Sequence, residues 1–391
     1  MAIDASIVPV VMFHSVGLNQ TKWIYNHLSE PLEQFEQKLS ILKAAGYRFI
    51  FWEDLYRHMA GTKILRHPSV MLTFDDGYLD NWVYAFPLLK KYGIKATIFV
   101  NPEFVDPIGE PRPQHADEKP VLPEDAMGFL SWGEMRLMEA SGLVDIQSHA
   151  MTHTWYFSGS EIVDFYKPGM RYPWLGWNLR PEMKYRYMNF TSSEWVPRGY
   201  PVFVHSKSLE APRFFPDEML VDRIVEFSSG QDESFWKRDD WRDVLKSESH
   251  KILAQFSSTG KYESDDDYRN RITWELSESR RLISEHIDKQ VDYICWPGGG
   301  YNDLVIGMAE RVGYKSWTLS SKDQSGYRNI PGSNPSKIKR MGSYTHRYAK
   351  GKYLGPGSAE YFFQRLCSHQ NDKLSEIKLK LKQVCLWIGK N

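Results

Sequence analysis

The sequence predicts a parallel α/β architecture. Three observations carry that expectation. Short apolar runs alternate with stretches of helical spacing along most of the chain. Several apolar runs end abruptly in polar groups suited to chemistry, at His14-Ser15, at Asp75-Asp76 and at Ser148-His149. The rhythm is broken once, over 155–267, and then resumes.

Ile7–Phe13 is the first strand, and a polar His-Ser step at its end is where an α/β barrel places functional groups; a loop histidine bonded to backbone is the plainer reading. Pro31–Ala45 has helical spacing through Leu32, Phe35, Leu39 and Leu42, and Gly46 stops it. Tyr47–Phe51 reads as a strand and Trp52–Met59 as a short helix. Val70–Phe74 is a short apolar run, the pattern of a buried parallel strand. It ends in Asp75, Asp76 and Gly77. Adjacent acids resist each other's ionisation and need partners; one can ligate a metal while the other handles protons. The alternative is a turn acid and a helix cap.

Trp82–Lys91 follows as a helix with Gly93 after its end, then Ala96–Val100 as a strand. Asn101–Asp125 holds six prolines and reads as a long loop. Ser131–Ala140 is a helix with Ser131 and Glu134 placed for a capping box. The strand at Val144–Ile146 leads into Gln-Ser-His-Ala-Met-Thr-His, with His149 and His153 four apart. On one face of a helical turn, two such imidazoles reach a single ion.

The stretch 155–267 is rich in Trp, Tyr, Pro, Arg and Asp and has few clean strands. It reads as a mostly helical and irregular insertion, a lid or substrate wall, or else a structural or oligomerisation element. Leu220–Phe227 and Asp239–Phe256 are its helical pieces. Tyr268–His286 resumes the pattern as a long charged helix with Leu276, Leu282 and Ile283 inward. Val291–Trp296 is a strand, followed by Pro297-Gly298-Gly299-Gly300-Tyr301. Three glycines permit close backbone approach, and the run lacks the Lys-Ser/Thr ending of a phosphate loop. Leu304–Val312 is a helix and Lys315–Leu319 a strand. Ser320–Pro335 is a polar loop, Ile338–Met341 a short last strand, Gly351–Gly357 a loop and Ala359–Trp387 a helical end.

Lys+Arg and Asp+Glu are both 49, so the formal net charge is zero and a dominant nucleic-acid footprint is not expected. Aromatic residues are 14% of the chain, and such rings suit sugar faces as well as cores. Cys295, Cys367 and Cys385 have no metal-type spacing and read as free thiols of a reducing compartment. No basic leader precedes the first strand and no run of about 18 apolar residues exists, so the expectation is a soluble, cytoplasmic protein without a transmembrane segment.

Taken in order, Phe-His-Ser, Thr-Phe-Asp-Asp-Gly-Tyr, Ala-Thr-Ile-Phe-Val, Ser-His-Ala-Met-Thr-His and Trp-Pro-Gly-Gly-Gly-Tyr-Asn resemble the polysaccharide deacetylases of the NodB-homology type, carbohydrate esterase family four. The resemblance covers roughly 7–154 and 270–345. It implies a distorted, incomplete (β/α)7 barrel over 1–154 and 268–350, with 155–267 as the insertion and 351–391 as a C-terminal helical region. It implies hydrolysis of the N-acetyl group of an amino sugar in a glycan or glycan precursor. It also implies a divalent metal, zinc before cobalt, nickel or manganese, on Asp76, His149 and His153, with Asp75 as general base.

Two departures matter. The family's late Leu-x-x-His motif is absent, and His346 lacks the leucine; Phe13-His14-Ser15 resembles the exopolysaccharide-deacetylase subgroup, whose acid histidine comes from the first strand. His14 is therefore the expected acid. The family's Arg-x-Pro has no Arg here, and Arg340 on the last strand is the expected replacement, the alternative being a rim salt bridge. Pro297, Gly298, Gly299 and Tyr301 would wall the acetyl site, with a backbone N–H of the glycine run near the oxyanion. Competing readings are a deacylase of a non-sugar amide, a glycan-binding relative that no longer turns over, and a phospho-acceptor receiver domain, which the histidine pair and the length oppose.

Overall fold

The computed structural model describes residues 3–19, 21–116, 118–170, 172–188, 195–343, 346–349, 352–356 and 358–388; within these, the side chains of 346–349, 352–356 and 382–388, His346 and Cys385 among them, lie outside the description. One curled parallel sheet runs in the order Lys337–Ile338, Ser316–Thr318, Tyr293–Ile294, Val144–Ser148, Ala96–Val100, Ser69–Phe74, Val10–Phe13 and Met341–Gly342, with Arg48–Phe49 as a side strand on Ser69–Phe74. The expected last strand is thus split. Its first half pairs with Ser316–Thr318, and its second half pairs with the first strand, Val11 opposite Met341 and Met12 opposite Gly342. Only Lys339 and Arg340 lie between the halves, so this stretch draws the two edges of the sheet together into an incomplete barrel. Asn329 fills the seam: its Nδ2 donates to the Val8 and Lys339 carbonyls at 3.1 and 2.8 Å, and its Oδ1 accepts from Lys339 N at 3.0 Å.

Side chains alternate across the sheet, and two apolar clusters follow from that. Outward residues (Val11, Phe13, Val70, Leu72, Phe74, Ile98, Ile146) pack beneath the helices with Phe35, Leu39 and Leu42 of Leu32–Ala44. Inward residues (Val10, Met71, Phe99, Tyr293, Cys295, Ile338) form a second cluster with Trp52, Leu55 and Met59 of the helix Trp52–Met59. Trp52 is completely buried, stacks on Tyr293 with ring centroids 5.6 Å apart, and donates to Ser316 Oγ at 3.0 Å, which closes the barrel floor.

Most expected elements are present, and Gly93 caps its helix with φ of 60°. The helix expected at Trp82–Lys91 begins as one π-type turn, Asn81–Ala85, before becoming α-helical over Phe86–Tyr92. The insertion holds the helices Glu218–Ser229 and Trp241–Leu253, but also a long antiparallel ribbon, Trp155–Phe165 against Pro201–Lys207. Its register shifts between Phe157 and Ile162, beside Gly159, and the shift breaks the period-2 pattern that marks a strand in sequence. The expected loop near 351–357 contains the strand Lys352–Pro356, paired with His346–Ala349. Leu282 is half-buried whereas Leu276 and Ile283 are fully inward. Among the described residues no helix is long and apolar enough to cross a membrane.

Candidate active site

Alternation builds the site. Met71-Thr73-Asp75, Val10-Met12-His14, Phe99-Asn101, Gln147-His149, Tyr293-Cys295 and Ile338-Arg340 are inward positions two apart. Each series ends at the same, C-terminal, mouth of the barrel. Asp76 and Gly77 then take left-handed backbone, φ of 74° and 67°, so the chain reverses and the second acid also faces the mouth. A Cβ on Gly77 would stand 2.9 Å from Val100 Cγ1, so only glycine fits there.

Asp75 is gripped by Arg340, with Nη1 to Oδ1 at 2.6 Å and Nη2 to Oδ2 at 2.8 Å, a two-pronged guanidinium–carboxylate pair. Burial pushes the Asp75 carboxyl up, but the Arg340 charge and hydrogen bonds outweigh it and hold it below the usual value. Cys295 Sγ touches both partners, 3.1 Å from Arg340 Nη2 and 3.5 Å from Asp75 Oδ2. It occupies the position where the resembled motif carries its arginine, and its small side chain leaves the space that Arg340 fills from across the barrel. The reading of Cys295 as a plain thiol missed this; the clue was its place immediately before Trp296-Pro297. Neither Cys295 nor Cys367 is in a disulfide. His14 Nε2 lies 3.9 Å from Asp75 Oδ2. The first and last strands are hydrogen-bonded neighbours, so His14 and Arg340 come from adjoining strands.

Asp76 Oδ1 lies 3.2 Å from His149 Nε2 and 3.2 Å from His153 Nε2. The two histidines do not sit on a helical turn. Ala150 and His153 adopt left-handed backbone, φ of 58° and 40°, and a tight loop brings the rings together. That loop is clamped from afar by residues no local pattern marks. Glu275, buried in the helix Asp265–Ile287, accepts from Thr152 N at 3.0 Å and Thr152 Oγ1 at 2.5 Å; Asn101 Nδ2 donates to the His149 carbonyl; Lys184 Nζ donates to the Thr152 carbonyl at 2.9 Å. A second clamp holds His14: buried Asp80 accepts from Val16 N at 2.9 Å, and Asn81 Nδ2 donates to the His14 carbonyl at 2.9 Å.

The donor set fits a divalent cation. Asp76 Oδ1 is buried and makes no hydrogen bond, and an orphaned buried carboxylate oxygen is costly. Ligands of a tetrahedral zinc at 2.0–2.1 Å stand about 3.4 Å apart, close to the separations here. His149 Nδ1 lies 2.7 Å from the Cys295 carbonyl, so it donates there and turns Nε2 towards Asp76. Burial raises the Asp76 carboxyl, yet His153 and His149 carry it well below its usual range. Burial disfavours charge on His149, but Cys295 and the two acids draw its pKa well up; a cation competes with that proton for the same lone pair.

A cavity of about 580 Å³ opens over these groups. Gly298 and Gly299 line it beside Trp296, whereas Pro297 and Tyr301 stand outside its lining. Tyr301 is turned away because its hydroxyl is bonded to Asp323 and its ring packs on Trp296, 5.4 Å between centroids. The Gly299 and Gly300 amides already donate to the Trp296 and Pro297 carbonyls, which leaves Gly298 as the donor of that run to consider for an oxyanion. The insertion supplies Trp155, Trp177 and Tyr187 to the lining.

Residues 62–174 of this curled parallel sheet, which hold the paired acids and the two histidines at its mouth, match the family described as Polysaccharide deacetylase. YxkH of Bacillus subtilis (strain 168), which bears a polysaccharide deacetylase name, is 37% identical over 93 residues, 24% of this chain and 31% of that protein. The poly-beta-1,6-N-acetyl-D-glucosamine N-deacetylase of Escherichia coli (strain K12) is 28% identical over 122 residues, 31% of this chain and 18% of that enzyme. The matches therefore span less than a third of either relative. In fold, the chain is similar to a de-N-acetylase from Aggregatibacter actinomycetemcomitans (TM-score 0.52, 20% identity, 85% of this chain and 94% of that one). It is also similar to the BpsB deacetylase domain from Bordetella bronchiseptica (TM-score 0.50, 18% identity, 88% and 97%).

Proposed function

We propose that this protein is a metal-dependent N-deacetylase of an N-acetylated amino sugar in a glycan or glycan precursor. The observation that carries the reading is the meeting of Asp76 Oδ1, His149 Nε2 and His153 Nε2 beside a second, arginine-held carboxylate. A divalent cation, zinc first, held by Asp76, His149 and His153 would supply Lewis acidity and lower the pKa of a water. Asp75 accepts the proton of the attacking water, and Arg340 keeps it ionised for that task. His14 donates a proton to the departing amine. Its imidazole lines the cavity, and the Asn81 side chain donates to the His14 backbone carbonyl. The barrel over 1–154 and 268–350 carries the chemistry. The insertion at 155–267 acts as the substrate wall, its Trp155, Trp177 and Tyr187 offering aromatic surface to a sugar ring. The E. coli and Aggregatibacter relatives, named for removal of N-acetyl groups, support the same reaction class.

Acetate release from N-acetylated glucosamine oligosaccharides tests this. Release that is abolished by a chelator and restored by zinc or cobalt is expected. Absence of release from the metal-loaded protein, with glycan still bound, would mark a binding protein instead.

A further inference from the structure

The glycine run after Trp296 makes room for a lysine. A Cβ on Gly300 would stand 2.5 Å from Lys207 Cδ and 2.8 Å from Lys207 Cβ, and one on Gly298 would stand 3.2 Å from Lys207 Cε. The lysine stem therefore lies across the glycines, and these two positions must lack side chains for it to do so. Lys207 ends the insertion ribbon and pairs directly with Trp155. Directly opposed residues of an antiparallel pair project from the same face. Trp155, Gly298 and Gly299 all line the cavity. The Lys207 stem thus lies against the loop whose Gly298 and Gly299 wall the cavity, although Lys207 is not itself a lining residue, and its ammonium is one bond beyond Cε.

Its charge is unmatched. Among the described residues the ammonium has no carboxylate or hydrogen-bond partner. Of the charged groups that line the cavity, Arg340 is paired with Asp75, and His149 and His153 stand against Asp76. An uncommitted cation held against the glycine loop next to Trp155 has a defined use. We infer that Lys207 binds an anionic substituent, phosphate or carboxylate, carried by the amino-sugar substrate close to the N-acetylated ring, with Trp155 against that ring. The inference rests on the deacetylase reading for the sugar and on Lys207 alone for the charge. A lysine that merely covers the glycines with its apolar stem makes no such distinction among ligands.

The test is titration calorimetry of the full chain at low salt with N-acetylglucosamine, its 1-phosphate, and a disaccharide of N-acetylglucosamine with glucuronic acid. One or both charged probes should bind roughly two- to fivefold tighter than the neutral sugar, and which one does so identifies phosphate or carboxylate. Lys207→Met keeps the stem and should bring that ratio to about one, whereas Lys207→Arg should preserve it. Equal affinity for charged and neutral sugars, an unchanged ratio in Lys207→Met, or no detectable binding of any probe would overturn the inference. Acetate release is read separately: binding with the expected ratio but without release would remove the deacetylase reading and leave the anion site standing.

Discussion

Replacing Arg340 with Met would leave Asp75 as a buried carboxylate with its counter-ion gone. The pair is almost shut off from water, with side-chain exposures of 9% and 4%, and is joined by two short hydrogen bonds of 2.6 and 2.8 Å. Removing one partner of such a pair costs about 3–5 kcal/mol, chiefly because the remaining charge is stranded. That is a large share of a typical folding stability of about 5–15 kcal/mol. Urea denaturation should therefore show a large fall in midpoint for Arg340→Met. The double variant Asp75→Asn/Arg340→Met, which strands no charge, should recover roughly half of the loss, a coupling of about 1.5 kcal/mol or more. The pH profile gives an independent reading. Arg340 holds the Asp75 pKa down against burial, so without it the Asp75 carboxylate protonates at higher pH. The acidic limb of acetate release should then move to higher pH. Arg340→Lys keeps a charge but not the fork and should fall between. Additive stability losses together with an unmoved acidic limb would refute the assignment of Arg340 as the partner that tunes Asp75.

Asp76→Ala and His149→Ala should abolish stoichiometric zinc uptake measured by elemental analysis, while Asp75→Asn should retain the metal and lose activity by about 100-fold or more. His14→Ala should lower turnover with metal content unchanged; loss of the metal would make His14 a ligand. Asp80 is fully buried, and burial raises its pKa to about 7 despite its hydrogen bonds. The folded state therefore holds a proton that the unfolded chain has released, and stability falls as pH rises from about 4 to about 7, by at most about 1.4 kcal/mol per unit. Asp80→Asn should flatten that slope, so melting temperatures of variant and wild type should diverge with rising pH in the variant's favour; parallel curves would contradict it.

How much of this was legible from residue order depends on range. The alternating elements, the capping box at Ser131 and Glu134, and the acids at the end of Ser69–Phe74 are local patterns, and local patterns survive folding. The His149–His153 spacing was read as a helical turn; the rings do meet, but through left-handed residues that sequence spacing cannot distinguish from a turn of helix. Glu275, Asn101 and Lys184 escaped notice because each acts across tens of residues or more and carries no motif of its own. Arg340 was expected as the missing guanidinium, and the structure sets it on Asp75. The reason that space exists, Cys295, emerges only from the packing. Pro297 and Tyr301 were placed in the acetyl wall by motif position, and the bond from Tyr301 to Asp323 draws that ring elsewhere.

The split closing stretch has one further consequence. The guanidinium that matches Asp75 lies 265 residues later in the chain and reaches it only when Lys337–Gly342 docks against both sheet edges. During synthesis, then, the first half of the barrel emerges with an acid awaiting its partner. Any fragment ending before this stretch would carry both acids, His149 and His153 yet lack the guanidinium that holds the Asp75 carboxyl below its usual pKa.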